Sequence, residues 1–409
     1  MRTDRVNVLQ IESGDRNFGG IASYHYRQYG MIDRKRVHYD FLYARHNSMA
    51  MMQNDPIFAE SKIFTLDAVR KKKSRMDYKR VIQEVRRIAR ENKYDIVVLD
   101  TSNIEFAFAC RFALTGIRRI AVVSQAHNAG IFVAPGSRRE HYPVVTNIID
   151  RICRFAIRNG SDYLIACSKQ AGGFAFGTGA VNRNNFRLVK NAIHPEEFCP
   201  DQDKRKKIRK EAGCSMDTTV FGYAGRLSGE KNLGFLVDVF NELHKRNQNS
   251  VFWFVGEGPV REPLRIQAEE LGLEESVTFW GLRPDVADLM QGMDAFIFPS
   301  FSEGLGIVAI EAQASGLPTI ISDGVPDDVM ITPLVRKVSL KASPLEWADE
   351  VMAKMREHPV RIPYAEELAS AGYDVRIEAK RMEEFYWQLG QRVKKGFMGR
   401  YLKQMNLET

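Results

Sequence analysis

The segment Ala295-Phe-Ile-Phe-Pro-Ser-Phe-Ser-Glu-Gly-Leu-Gly-Ile-Val-Ala-Ile-Glu-Ala-Gln-Ala-Ser-Gly-Leu-Pro-Thr-Ile-Ile-Ser322 decides the fold. It predicts a buried strand over 295–298, a glycine-bearing loop, a helix over 307–315 and a second strand over 317–322. Gly316 sits where a helix C′ glycine belongs. Strand, helix and strand in so few residues make a parallel βαβ unit. Glu303 lies in the loop at the carboxyl end of the first strand. Glu311, eight positions later, lies inside a helix that is otherwise almost wholly apolar. A carboxylate there is costly unless something pairs with it. Taken singly, Glu303 reads as a loop acid and Glu311 as half of an ion pair. Together, next to Gly304, Leu305 and Gly306, they read as a ligand site. Free N–H groups at 304–306 suit a phosphate, and Glu311 suits the vicinal hydroxyls of a ribose.

The same alternation extends in both directions. Upstream, strands are predicted over 219–223, 251–255 and 277–280, with helices over 233–245, 260–271 and 286–290. The first half repeats the pattern: strands over 6–11, 96–99, 120–124 and 163–166, with helices from Ile21, over 78–92, and over 144–158 stopped by Asn159-Gly160. The alternation pauses around Lys190–Pro200, before the charged run Lys204–Glu211. We place the domain junction there. The fold class is therefore α/β: a first doubly wound domain over 1–192, a second over 193–374, and a closing helix with a basic tail over 375–409. Ligands in such sheets bind outside the carboxyl ends of the strands, and the cleft of two facing domains is the expected site.

With 409 residues, 44% apolar and 27% charged, the chain suits two globular domains. No apolar run approaches the roughly 20 residues of a membrane span, and the N-terminus lacks the features of a signal peptide. The five cysteines show neither close pairing nor metal-ligand spacing, as in a reduced cytoplasmic protein. Net charge is +8, unevenly spread. Residues 1–195 carry 32 Lys+Arg against 17 Asp+Glu, and residues 196–409 carry 27 against 34. The steepest stretch, Arg70–Lys93, holds eleven basic and three acidic residues. It reads either as a solvated helix face or as an attraction to an anionic bilayer. No motif for nucleic acid is present.

A second constellation, Ala224-Gly-Arg-Leu-Ser-Gly-Glu-Lys-Asn232, follows a strand and opens a helix. Lysine at a helix N-terminus opposes the macrodipole, a local cost that a bound anion offsets. Arg226 and Lys231 would clamp a diphosphate, the one by its fork and the other as a point charge. The bland alternative is an ion pair of Lys231 with Glu230. Gly256-Glu-Gly-Pro259 and Gly281-Leu-Arg-Pro-Asp285 each follow a strand and read alone as tight turns. Gly19-Gly20 is weak by itself, and His127, after the strand ending at Ser124, is by itself most simply structural. Asp294 reads as structural. Asp201-Gln-Asp203 matches an aspartate–any–aspartate pattern that can hold a metal, but it lies in the lysine-rich junction and not at a strand end.

Glu303 and Glu311 at this spacing resemble the signature of retaining nucleotide-sugar glycosyltransferases of the GT-B fold, glycosyltransferase family 4. The resemblance implies two Rossmann-like domains across a cleft, a last helix crossing back to the first domain, and no bound metal or other cofactor. It implies that Arg226 and Lys231 hold the donor diphosphate. Gly256, Leu282, Arg283 and the 304–306 loop would line the donor pocket. Gly19, Gly20 and His127 would face it from the first domain. Glu303, His127, Arg226 and Lys231 would then be catalytic, and Glu311 would hold the ribose. A narrower similarity, at Met31–Arg34, Tyr39–Leu42, Ala166–Ala171, Phe176-Gly177 and Glu311–Pro318, is to bacterial enzymes of exopolysaccharide and capsule assembly. It implies a UDP-sugar donor, a polyprenyl-diphosphate-linked oligosaccharide acceptor and peripheral contact with the anionic inner face of the cell membrane. The interleaved tail Arg392–Lys403 reads either as an interfacial segment or as a disordered basic end. Two rivals stand beside this reading: a GT-B hydrolase or epimerase of UDP-sugars, and a non-catalytic partner subunit.

Overall fold

A computed structural model describes residues 5–13, 20–44, 55–66, 76–130 and 143–396. The chain forms two compact units. Unit 1 comprises Met1–Asn191 and Val375–Thr409, and unit 2 comprises Ala192–Asp374.

Unit 1 holds a seven-stranded parallel sheet. Its strands are β1 (Val6–Glu12), β2 (Val37–Tyr43), β3 (Ile63–Thr65), β4 (Ile96–Asp100), β5 (Ala121–Ala126), β6 (Tyr163–Ala166) and β7 (Phe186–Leu188). Their order is β3-β2-β1-β4-β5-β6-β7, so the winding reverses between β1 and β4. The helices are α1 (Gly20–Met31), α2 (Tyr78–Glu91), α3 (Ile104–Ala113), α4 (Pro143–Gly160) and α5 (Lys169–Phe176). Asp77 caps α2 by accepting from the Arg80 N–H, and Asn103 caps α3 in the same way at Phe106. Continuous runs such as Ile96-Val-Val-Leu are buried on both faces, as a parallel sheet requires. Val81, Val85, Ile88 and Phe106 cover one face.

Unit 2 repeats the plan with six parallel strands in the order β10-β9-β8-β11-β12-β13. They are β8 (Thr219–Ala224), β9 (Ser250–Val255), β10 (Val277–Gly281), β11 (Ala295–Phe298), β12 (Thr319–Ser322) and β13 (Val335–Val338). The helices are α6 (Gln202–Glu211), α7 (Leu233–Arg246), α8 (Arg261–Glu270), α9 (Val286–Gly292), α10 (Ile307–Ala314), α11 (Pro344–Glu357) and α12 (Ala365–Ser370). The chain enters and leaves unit 2 at one place, where Ile193 pairs with Asp374 and its N–H donates to the Tyr373 carbonyl. The last helix, α13 (Val375–Lys394), then packs in unit 1. It buries Ala379, Met382, Phe385, Tyr386 and Leu389 against the sheet face opposite α2 and α3. Arg36 fixes it by pairing with Glu383 at 2.5 Å and Glu384 at 2.7 Å. Among the described residues, no helix is long and apolar enough to cross a membrane.

Two sequence readings need correcting. The charged run Lys204–Glu211, read only as part of the domain junction, belongs to helix α6. Asp201 caps it by accepting from the N–H groups of Asp203 and Lys204, which accounts for the aspartate that mimicked a metal motif. Arg205 and Arg209 of this helix both pair with Asp294 at 2.6 Å, and the same carboxylate accepts from the Val220 N–H. Asp294 thus knots α6 to the sheet. Helix α4 also runs through Asn159 and Gly160 instead of stopping before them. The Gly160 carbonyl is satisfied by the Arg111 guanidinium at 2.7 Å.

Candidate functional site

In unit 2 the sheet reverses its winding between β8 and β11. Two connections leave the carboxyl ends of adjacent parallel strands there, the position where open α/β sheets bind ligands. The β8–α7 connection carries Arg226 and Lys231, and the β11–α10 connection carries Glu303.

The first connection is shaped by its neighbours. The Gly225 N–H donates to the Val255 carbonyl and the Leu227 N–H to the Glu257 carbonyl, both at 2.9 Å. A Cβ on Gly256 would lie 1.9 Å from the Gly225 oxygen, and one on Gly258 2.0 Å from the Leu227 oxygen. Only glycine permits this approach. Gly256, read from sequence as a pocket residue, thus supports the Arg226 loop. The buried Tyr223 hydroxyl donates to the Arg226 carbonyl at 3.0 Å. Burial, with Glu303 and Glu230 nearby, holds that phenol well above its ordinary pKa, so it remains a neutral donor.

A single 3₁₀ turn, Gly229–Lys231, and a left-handed Asn232 (φ 56°) lead into α7. The turn is joined to the second connection by the Phe301 N–H, which donates to the Glu230 carbonyl at 2.9 Å. Lys231 Nζ then meets Glu303 Oε1 at 2.6 Å, with the two side chains only 18% and 12% exposed. The Phe298 ring lies 5.7 Å from the same ammonium. Glu230 accepts instead from the Ser228 hydroxyl at 2.6 Å, so the bland Lys231–Glu230 pair does not form. Among the described residues, the half-buried Arg226 guanidinium has no ion-pair partner.

The second connection ends at Gly306, which takes the left-handed conformation (φ 88°) at the N-cap of α10. Gly304 and Leu305 are buried, and the Leu305 side chain is part of the core. Inside α10, Gln313 is fully used: its amide donates to the carbonyls of Ala309 and Val329 and accepts from Thr332. Glu311, also buried, is the helix's other polar residue before the terminal Ser315. The Leu317 N–H donates to the Ala312 carbonyl and closes the helix at Gly316. On the β10 loop, Leu282 is exposed. The Arg283 guanidinium is occupied by Asp285 and Glu211 and stacks on Trp280. Only the backbone of this loop therefore fits the role read from sequence.

In unit 1 the corresponding reversal lies between β1 and β4. Gly19 falls outside the described residues, and Gly20 begins α1. His127 directly follows β5 and is fully buried. Burial, and secondarily the charge of His25, hold it far below its ordinary value, at about 3. Asn191 approaches the ring and works in the opposite direction, yet among the described residues neither ring nitrogen of His127 has a partner in full hydrogen-bond geometry. His127 is thus a neutral imidazole with unused polar atoms. Its ring meets those of Tyr24 and His25 at 5.6 and 5.5 Å.

Sequence reasoning missed the group behind His127. His25 Nδ1 meets Glu12 Oε1 at 2.5 Å, both buried. Burial disfavours the His25 cation, but the Glu12 carboxylate outweighs it and raises His25 above its ordinary value. Asp100, at the end of β4, accepts from the hydroxyls of Ser13 and Ser102. The available signal was position: Glu12 and Asp100 are acids at the carboxyl ends of the two strands that flank the reversal.

Comparison with known proteins agrees with this geometry. Residues 204–361 match the family of glycosyl transferases group 1. The chain is 29% identical over 383 residues to the Bacillus subtilis protein named "Putative glycosyltransferase EpsF", covering 91% of this chain and 94% of EpsF. It is 28% identical over 146 residues to the Escherichia coli UDP-Gal:alpha-D-GlcNAc-diphosphoundecaprenol alpha-1,3-galactosyltransferase, 35% of this chain and 38% of that enzyme. HepE of Anabaena, solved with UDP and glucose, superposes with a TM-score of 0.67 at 19% identity, over 96% of this chain and 99% of HepE. WaaG, a glycosyltransferase of lipopolysaccharide biosynthesis, gives 0.63 at 16%, over 96% of this chain and all of WaaG. The two parallel-sheet units have the GT-B fold.

Proposed function

We infer that this chain, a glycosyltransferase of GT-B fold with its group 1 domain at residues 204–361, moves a sugar from a nucleoside-diphosphate donor with retention of configuration. The observation that carries the reading is the Lys231–Glu303 contact at the β8/β11 reversal, beside an Arg226 with no ion-pair partner among the described residues and the start of α10. A diphosphate fits there because it takes both cations and the helix N-terminus. The donor we propose is a UDP-sugar, supported by the UDP bound to HepE and the UDP-galactose used by the E. coli relative.

In this reading Glu311 accepts hydrogen bonds from the ribose hydroxyls. Arg226 and Lys231 hold the diphosphate, with N–H groups of 304–306 assisting. They compensate the charge that grows on it as the glycosidic bond breaks. Glu303, neutralised by Lys231 in the free protein, orients hydroxyls of the donor sugar once Lys231 turns to phosphate. No side chain stands out as a covalent nucleophile. Retention then follows from attack by the acceptor hydroxyl on the face the diphosphate leaves, its proton passing to a leaving phosphate oxygen. His127 supplies neutral hydrogen-bonding atoms to a hydroxyl. Unit 1 holds the acceptor, which we propose to be a polyprenyl-diphosphate-linked saccharide of exopolysaccharide or capsule assembly, a proposal the E. coli relative supports. The enzyme would meet it at the inner face of the cell membrane.

The test is Glu311→Ala. Two hydrogen bonds to a carboxylate, at about 1.5–3 kcal/mol each, set the loss in kcat/KM at roughly 10²- to 10⁴-fold. Circular dichroism checks that the variant is folded. Full turnover by a folded variant would sink the site assignment. A thermal-shift screen of nucleotide sugars identifies the donor. Nucleotide release by the wild type without any acceptor would favour the hydrolase reading.

A further inference from the structure

A working imidazole is commonly oriented by a hydrogen bond from one ring nitrogen to a carboxylate or carbonyl, which also selects its tautomer. His127 lacks such a bond: among the described residues, neither ring nitrogen has a partner in full hydrogen-bond geometry. Its main chain is held, because the Cys167 thiol donates to its carbonyl at 3.8 Å. Its ring is set by packing instead. The Tyr24 ring lies 5.6 Å away at an interplanar angle of 57°, and the His25 ring 5.5 Å away at 78°. All three side chains are buried. An edge-to-face contact is directional, because an aromatic ring is negative on its face and positive at its edge.

Both rings on α1 are themselves anchored. The Tyr24 hydroxyl accepts from the Gln28 amide at 2.8 Å, one turn further along the helix. His25 Nδ1 meets Glu12 Oε1 at 2.5 Å. An ionised carboxylate only accepts, so Nδ1 carries the proton. The His25 ring then cannot turn without breaking a bond between two buried groups. Asp100, the other acid nearby, accepts from the Ser13 and Ser102 hydroxyls, which leaves Glu12 as the carboxylate bonded to His25. The contacts span the reversal of the sheet: Glu12 ends β1, His25 is on α1 and His127 follows β5, with β4 between β1 and β5. For stability alone a buried ion pair is a poor device, since an apolar pair of similar volume does as well or better. What it adds is one defined geometry. We propose that Glu12 and His25 are positioning residues: the carboxylate fixes the His25 ring, and that ring holds His127 at the angle from which its nitrogens meet a substrate hydroxyl.

The proposal rests on the reading of His127 as a residue of the transferase site, and its test has one arm that needs no substrate. In the full chain labelled with carbon-13 at histidine Cε1, the His127 signal is the one lost in His127→Gln. Glu12→Leu with His25→Leu removes both charges and the anchoring ring, and it should fold at least as stably as the wild type. In that variant the His127 signal should move, while those of the unit 2 histidines stay. The second arm is kinetic. Misplacing a catalytic group by about 1 Å can cost about 10²-fold, so kcat for sugar transfer from the UDP-sugar should fall by roughly ten- to 100-fold. UDP affinity by calorimetry should not change, because the proposed clamp lies in unit 2. Glu12→Gln, whose amide oxygen still accepts the Nδ1 proton, should recover most of kcat and the wild-type His127 signal. A folded double variant with an unmoved His127 signal, or with wild-type kcat, overturns the proposal. So does a Glu12→Gln variant as slow as the double variant, because the hydrogen bond would then not be what orients the ring. Full transfer by His127→Gln overturns the proposal together with the reading it rests on; a His127 signal that still moves in the double variant tells this failure from the others.

Discussion

Acidification should destabilise unit 1 through His127, and the size of the effect follows from its burial. In the folded protein His127 titrates at about 3, against an ordinary 6.5. Between those values the unfolded chain binds a proton that the native state refuses. Stability is then present above pH 6.5 and is lost as pH falls toward 3. The slope is about 1.4 kcal/mol per pH unit, so lowering pH from 7 to 4.5 costs about 2.5 kcal/mol from this residue alone. His25 does not add to the loss. Its folded value is raised, so its contribution is complete below 6.5 and fades only as pH rises. Asp100, also raised, has the opposite effect to His127, since protonating it in the native state relieves a buried charge. The comparison that isolates the term is wild type against His127→Gln. Hydrogen exchange of peptides from β4 and β5, followed by mass spectrometry between pH 7 and 4.5, reads unit 1 without interference from unit 2. The local stabilities should diverge by about 2.5 kcal/mol, the variant being the flatter. Parallel curves would refute the claim that His127 is held neutral. The variant should also lose transfer activity at every pH, because the proposed role is hydrogen bonding and not titration.

Three further outcomes follow from the geometry of unit 2. Lys231→Ala leaves Glu303 nearly buried and unpaired. It should cost about 2–3 kcal/mol, below the usual range for fully buried pairs, or a fall in Tm of roughly 5–10 °C. The double variant Lys231→Met, Glu303→Gln should regain most of that stability while calorimetry still finds no UDP binding. Gly256→Ala forces a methyl to within 1.9 Å of the Gly225 oxygen, and should cost about 3 kcal/mol or more in urea unfolding and raise the KM for donor. Tyr223→Phe leaves the Arg226 carbonyl without its buried donor, which should cost about 1–3 kcal/mol in urea unfolding and raise the donor KM more than it lowers kcat.

The parts of this molecule that were legible from sequence are those where one physical demand dominates. β11, α10 and β12 could be read because an apolar run, three glycines and a carboxylate inside an apolar helix allow few other structures. Strands β3 and β7 were not read: each has three half-buried residues at a sheet edge and no hydrophobic run to announce it. Helix α6 was hidden by composition. Gln202–Glu211 is nearly all charged, and what makes it a helix is the Asp201 cap and the anchoring of Arg205 and Arg209 on Asp294, more than eighty residues away. The same limit applies at the site. Arg226, Lys231, Glu303 and Glu311 could each be named from local pattern, but that Lys231 pairs with Glu303 and not with its neighbour Glu230 is a property of strand order. The adjacency of β8 and β11, which are seventy residues apart in the chain, brings them together. Glu12 and His25 were missed because neither belongs to a motif; they become a pair only when α1 packs over the end of β1.

The two reversals are built alike but charged differently, and this bears on the basic half of the chain. Unit 2, which carries the diphosphate clamp proposed above, has an excess of acids. Unit 1 has the excess of bases, yet at its own reversal it offers a neutral imidazole and an internally compensated Glu12–His25 pair. Anion binding at the proposed clamp would therefore owe nothing to net charge. Arg226 and Lys231 act over a few ångströms, well inside a screening length of about 8 Å, while the surface charge of either unit is largely screened beyond it. The bases of unit 1 would therefore add little to holding a diphosphate at Arg226 and Lys231.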